Sequence, residues 1–241
     1  MNDAASLGTI LGVWAHPDDD IFLSAGLMAT AVRTGNRVVD VTATRGEGGS
    51  MDEERWPSAT MGAVRTAELL RSLEILGVTE HRFLDGPIDV DMDAHLDEAG
   101  AAQVRAILAD VQPDTVLTFG PDGMTGHQGH KDVCRWTTEA FAAVAKTGAR
   151  LYYATQTPAF LAEVVPLVEQ FDIFRPGTPP VTPREELAID FSADEELLDL
   201  KVASLTSHES QIEGLLEVFG VQGLRRFIRD ESFRDAGHKE G

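Results

Sequence analysis

Apolar runs of strand length alternate with longer helical patterns along this chain, and that alternation demands parallel strands joined by crossover helices. The first run is Ile10-Leu11-Gly12-Val13-Trp14-Ala15. A helical pattern from about Ile21 to Thr34 follows it, with Gly35 placed as the C′ residue. The second run, Val38 to Thr44, ends in Arg45-Gly46-Glu47-Gly48-Gly49-Ser50, and a helix is expected from Ser58 to Leu76, closed by Gly77. A short strand around Arg82-Phe83-Leu84, a helix near Ala99 to Val111, a buried strand Thr115 to Phe119 and a helix ending about Lys146 continue the pattern. Leu151 to Ala154 and Leu187 to Phe191 read as later strands, and Ser192 with Glu195 fits a capping box opening a C-terminal helix. Arg175 to Arg184, with four prolines, reads as a loop or lid. The expected fold is a single α/β domain over residues 1–241. It is Rossmann-like, with a mostly parallel sheet and helices on both faces. Its core runs from about 9 to 215, and a polar tail frays from about Arg234.

Charge narrows the partners. Forty acidic against 20 basic residues give a formal net charge of −20, a surface that repels phosphate backbones and anionic lipid. Nucleic acid and membranes are therefore not expected as partners, and no apolar run reaches the length of a membrane span. A single cysteine, Cys134, leaves no intrachain disulfide and reads as a buried, inert thiol. The first residues lack a basic leader pattern, so the expected location is cytoplasmic.

In an open parallel sheet, ligands bind beyond the carboxyl ends of the strands. Three such ends carry polar loops: His16-Pro17-Asp18-Asp19-Asp20, Arg45 to Ser50, and Pro121 to His130. Taken alone, Pro17 and the aspartates could simply open a helix whose dipole favours negative charge, and His127 with His130 could be a surface pair. On one sheet edge, however, the two clusters offer two imidazoles and a carboxylate, with His127 and Asp18 to spare. Three protein ligands and an open position are the pattern of catalytic zinc, and another divalent transition ion would also suit these donors. A structural site would close with a fourth ligand, commonly cysteine, and Cys134 is the only one.

These segments resemble a known family. Val13-Trp14-Ala15-His16-Pro17-Asp18-Asp19 is similar to the AHPDD signature of the LmbE-like, or PIG-L, deacetylases, and Pro121 to His130 to that family's second histidine motif. Gly46-Glu47-Gly48, Arg65-Thr66-Ala67-Glu68 and the later Lys201, His208 and Gln211 also fall where the family has matching residues, so the resemblance spans about residues 10 to 215. It implies a zinc-dependent hydrolase that removes an acyl group, usually acetyl, from an amide nitrogen, often of an N-acetylglucosamine conjugate. It further implies His16, Asp19 and His130 as zinc ligands, Asp18 as general base, and His127 as general acid or oxyanion stabiliser. Glu47, Arg65 and Asp85 would contact a small-molecule N-acyl substrate, and a homo-oligomer is allowed.

Three departures stand out. Asp20 replaces a frequent Glu, Gly129 replaces the Asp of a frequent His-Pro-Asp-His, and Asp85-Gly86-Pro87-Ile88-Asp89 is shortened. The carboxylate missing at Gly129 could have oriented a neighbouring imidazole, which leaves the protonation of His127 open. Without the resemblance, Glu47 reads as a solvated turn, Arg65 as an ion-pairing helix residue and His208 as a satisfied helix histidine. Trp14, Trp56 and Trp136 read as core or pocket wall. Competing readings are a zinc amidase for a non-sugar amide or thiol conjugate, a non-catalytic Rossmann-like nucleotide-binding module, and a metal-stabilised interaction domain.

Overall fold

The computed structural model describes residues 4–91, 93–168, 174–175 and 180–237. Strands β1 (Ile10–Trp14) and β2 (Val38–Thr42) are buried at all five of their positions, so helices must cover both faces of the sheet they form. They are joined by β3 (Glu80–Phe83), β4 (Thr115–Thr118), β5 (Arg150–Ala154), β6 (Ile189–Ser192) and β7 (Asp230–Asp235) in the order β3-β2-β1-β4-β5-β7-β6. The β3-β2-β1-β4-β5 part is parallel throughout, and β7 enters antiparallel to both β5 and β6.

Helices α1 (Asp19–Arg33), α2 (Ser58–Leu76), α6 (Glu195–Leu205) and α7 (Glu209–Ile228) pack together, while α3 (Ala99–Val111) and α4 (Gln128–Val144) pack on one another and against β1. The expected α/β architecture is what the chain adopts. A further helix, α5 (Pro158–Val168), lies in a stretch to which the sequence pattern assigned no element. Among the described residues, no helix is long and apolar enough to cross a membrane. Cys134 is buried, and burial pushes its thiol up to about 12, which keeps it inert.

The sequence expectation fails most clearly at the C-terminus. Arg234 and Asp235 do not fray: Asp230–Asp235 is strand β7, laid between β5 and β6, with Glu231 and Arg234 buried. Its alternation of acidic, aromatic and basic residues looks solvated, yet each inward charge is answered. Glu231 receives Lys201 Nζ at 2.5 Å and the backbone N–H groups of Gly26 and Leu27 at 2.6 and 2.9 Å. A Cβ at Gly26 would stand 2.6 Å from Phe191, so only glycine lets α1 approach this carboxylate. The last residues of the expected tail, 238–241, lie outside the described residues, as do 176–179 of the expected Arg175–Arg184 lid.

The expected capping box is also replaced. Ser192 is still paired with Asp230 at the end of β6, and α6 begins only at Glu195, so Ser192 stands two residues before the cap position. Asp194 takes that place, its side chain accepting from Leu197 N at 2.9 Å.

Strand order reverses at β1, whose neighbours β2 and β4 lead to opposite sides of the sheet. A crevice therefore opens beyond the ends of β1 and β4. His16 follows β1 and His130 follows β4.

Candidate active site

The three polar loops do share one edge. They enclose a cavity of about 450 Å³ whose lining includes His16, Asp18, Asp19, Gly48, Arg65 and His130. At its floor His16 Nδ1 stands 3.0 Å from His130 Nε2. The Asp19 carboxylate lies 3.5 Å from the first and 3.4 Å from the second.

The surroundings fix which atoms carry lone pairs. His130 Nδ1 lies 2.9 Å from the carbonyl oxygen of Gly123, which can only accept, so Nδ1 carries the proton and Nε2 is bare. His16 Nε2 faces the carboxylate of Asp89 at 3.7 Å, which favours a proton there and a bare Nδ1. Two bare ring nitrogens and a carboxylate thus converge on one point, an arrangement that repels itself unless a cation sits among them. Ligands about 2.0–2.1 Å from a tetrahedral zinc stand about 3.3 Å apart, so these spacings fit such an ion. His127 is the outlying third imidazole: one nitrogen from each of His16, His127 and His130 lies within 4.8 Å of the others.

Without a metal, protons take its place. Burial works against a charged His16, but Asp19 and Asp89 outweigh it and raise the imidazole to about 10. Burial pushes His130 down to about 3. Asp19 is held below the ordinary carboxylate range, burial being outweighed by the His130 and His16 rings. Any cation entering here displaces the proton of His16. Phe119 stacks on His130 at 4.1 Å and 11°, fixing the ring.

Asp18 caps α1 with φ at 113°, a conformation rare for any residue but glycine. Burial pushes its carboxyl up to about 7, against the pull of Arg65. Arg65, buried on α2, donates from Nη2 to Asp18 Oδ2 at 3.1 Å and to the Pro17 carbonyl at 2.6 Å. The glycine loop after β2 exists to receive this guanidinium: a Cβ at Gly46 or Gly49 would meet Nη1 at 2.3 or 2.4 Å. Arg65 therefore lines the cavity while Nη1 and Nη2 donate to the protein, and its buried Nε has no partner among the described residues.

Glu47 and Asp85, expected as substrate contacts, are not brought to the cavity lining. Glu47 turns back to accept the backbone N–H groups of Arg45 and Asp89, each at 3.3 Å. Asp85 is exposed, its backbone held at both ends by Gln103 of α3. The loop it begins does reach the site, four residues later, at Asp89.

Sequence reading missed Asp89, and the signal was Gly129. A Cβ at Gly129 would touch Leu96 at 3.5 Å and stand 3.7 Å from His16 Nε2, the same atom that Asp89 Oδ2 faces at 3.7 Å. The carboxylate absent at position 129 is supplied from position 89, and its partner is His16 rather than His127. His208 is fully buried beside the cavity, kept neutral by burial at about 3, and neither ring nitrogen has a hydrogen-bond partner among the described residues. Beneath the site Asp20 is likewise buried, and its pKa is raised by burial and by the charge of Asp40.

Comparison with known proteins agrees with this picture. Residues 11–141 match the family model described as PIG-L, GlcNAc-PI de-N-acetylase. Among curated relatives, the 1D-myo-inositol 2-acetamido-2-deoxy-alpha-D-glucopyranoside deacetylase of Mycobacterium sp. (strain JLS) is 30% identical, over 84% of this chain and 74% of its own length. The fold is shared with N,N'-diacetylchitobiose deacetylase from Pyrococcus horikoshii, at a TM-score of 0.63 and 20% identity, covering 98% of this chain and 86% of that one. It is also shared with the 4-carboxy-2-hydroxymuconate hydratase of Pseudomonas putida KT2440, at a TM-score of 0.61 and 18% identity, covering 97% and 98%. One backbone thus carries more than one chemistry, and the side chains at the strand ends must decide between them.

Proposed function

The chain belongs to the PIG-L family of de-N-acetylases, and from that premise we propose that it is a zinc-dependent hydrolase removing acetyl from the nitrogen of an N-acetylglucosamine-type conjugate. The observation that carries this reading is the convergence of His16 Nδ1, His130 Nε2 and the Asp19 carboxylate at 3.0–3.5 Å. Those three groups hold the metal. The named activity of the curated relatives supports the amino-sugar amide as substrate, and the described residues act as one domain.

Zinc held by these groups would lower the pKa of a bound water towards about 7 and polarise an amide carbonyl. Asp18 takes the proton of the attacking water. Its Oδ2 is engaged by Arg65, which leaves Oδ1 for that proton. His127, at the N-terminus of α4, stabilises the oxyanion or passes a proton to the departing amine nitrogen. The products are acetate and the free amino sugar. Arg65 and Glu47 serve from behind, the first on Asp18 and the second on the backbone of Asp89.

The test is to strip the protein with a chelator, titrate it with zinc and other divalent ions, and measure acetate released from N-acetylglucosaminyl-inositol and simpler N-acetylglucosaminides. One metal per chain with metal-dependent acetate release is the expected result. Stoichiometric zinc binding with no acetate from any of these amides sinks the amino-sugar reading.

A further inference from the structure

The cavity has two unlike ends. His16, Asp18, Asp19, His127 and His130 make up one of them. One helical turn along α1 and α7, about 5 Å on each axis, the walls become apolar. On α1, Phe22 and Leu23 follow Asp19 by three and four residues. On α7, Leu215 follows Gln211 by four. Residues so spaced share a helix face, so the faces that present Asp19 and Gln211 to the cavity present carbon one turn later. Phe227 and Phe160 complete this wall. The rings of Phe22 and Phe227 lie 5.7 Å apart and edge-on, and those of Phe160 and Phe227 are also 5.7 Å apart. All five side chains are half-buried: packed into the fold on one side, and lining the cavity on the other.

We infer that this wall receives an apolar substituent carried by the amino sugar, so that the substrate is an N-acetylglucosaminide with an aryl or alkyl aglycone. The inference rests on the N-deacetylase reading, because it takes the acyl part to be acetyl. An acetyl group is consumed at the metal ligands and is too short to reach a wall one helical turn away. The width of a sugar ring spans that distance, and the aglycone arrives there. An inositol in that place would set hydroxyls against Phe and Leu carbon and lose its water without replacement partners. Polar groups for the sugar itself, Ser50, Asp89 and Gln211, lie elsewhere in the lining. Asp230, adjacent in the lining, faces Arg184 at 3.6 Å.

The zinc-loaded full chain is assayed with the methyl and phenyl glycosides of N-acetylglucosamine, with N-acetylglucosaminyl-inositol, and with a methyl glycoside bearing N-hexanoyl in place of N-acetyl. The phenyl glycoside should exceed the methyl glycoside in kcat/KM by at least about tenfold. In Phe227→Ser and Leu215→Gln that ratio should fall towards one, a readout that general damage does not move. Binding of phenyl and methyl glucosaminide to the metal-free chain, measured by calorimetry, should show the same preference. A phenyl-to-methyl ratio near one in both measurements overturns the inference. So does a gain with the hexanoyl amide alone, which would assign the wall to the acyl group. Tight phenyl glucosaminide binding without acetate release from any glycoside upholds the wall and removes the deacetylase reading instead.

Discussion

Arg65 Nη2 holds Asp18 Oδ2 at 3.1 Å and the Pro17 carbonyl at 2.6 Å, so one nitrogen fixes both the side chain and the preceding peptide of a residue whose φ is 113°. A backbone so placed costs on the order of 1–3 kcal/mol and persists only where neighbours enforce it. It turns consecutive aspartates in different directions: Asp19 reaches the two histidines, while Asp18 faces α2 and the cavity.

Lysine cannot reproduce that hold, since it lacks the planar fork. Arg65→Lys should therefore keep its zinc and lose about 10²-fold in kcat, the scale of a misplaced reacting group. Arg65→Gly should regain part of the loss when guanidinium is added at concentrations too low to denature. Steady-state kinetics beside metal analysis checks this. A fall in KM-dependent terms alone, with kcat intact, would make Arg65 a substrate contact instead.

The two aspartates should separate cleanly on substitution. Asp19→Asn removes a carboxylate from the three converging groups and should abolish stoichiometric zinc. Asp18→Asn should bind zinc normally and lose about 10²–10⁴-fold in activity, the usual weight of a general base. Metal content by mass spectrometry decides the first point and acetate release the second. Full zinc in the Asp19 variant would remove that residue from the ligand set.

Asp89 should behave as the carboxylate that orients a ligand histidine. Asp89→Asn is expected to weaken zinc affinity by about 10–100-fold, as loss of such a partner usually does. Gly129→Asp should recover part of that loss in the Asp89→Asn background, because a Cβ at 129 stands within 3.7 Å of the same His16 Nε2. Competition with a chromophoric chelator measures both. Unchanged affinity in Asp89→Asn would leave His16 needing no such partner.

The sequence made the parallel sheet and the convergence of His16, Asp19 and His130 readable because both follow from local patterns: apolar runs, and polar residues directly after them. What escaped it depends on partners far along the chain. Nothing near Glu231 reveals that Lys201 and the middle of α1 will meet it, so β7 looked like a solvated tail. Arg65 read only as an ion-pairing helix residue or a substrate contact because the glycines that receive it lie on another loop. Asp89 was one of several aspartates in a loop, and only the geometry of His16 distinguishes it from Asp85.

Asp40 makes stability depend on pH in a direction unusual for a carboxylate. It is fully buried in β2 opposite Gly12, and neither carboxylate oxygen has a hydrogen-bond partner among the described residues. Burial pushes it up to about 8. His81 Nε2, 3.7 Å away, offers no charge, since burial and Arg45 hold that ring down at about 4. In the unfolded chain an aspartate titrates near 3.9, so the folded state binds the extra proton between about pH 4 and 8. The stability Asp40 contributes is thus complete below about pH 4 and is lost as pH rises towards 8. Asp40→Asn, neutral at every pH, should melt close to the parent at pH 5 and at least about 3 °C above it at pH 8.5. Thermal unfolding of both proteins, metal-free, across that range supplies the comparison. A difference in melting temperature that stays constant with pH would show that Asp40 is ionised throughout.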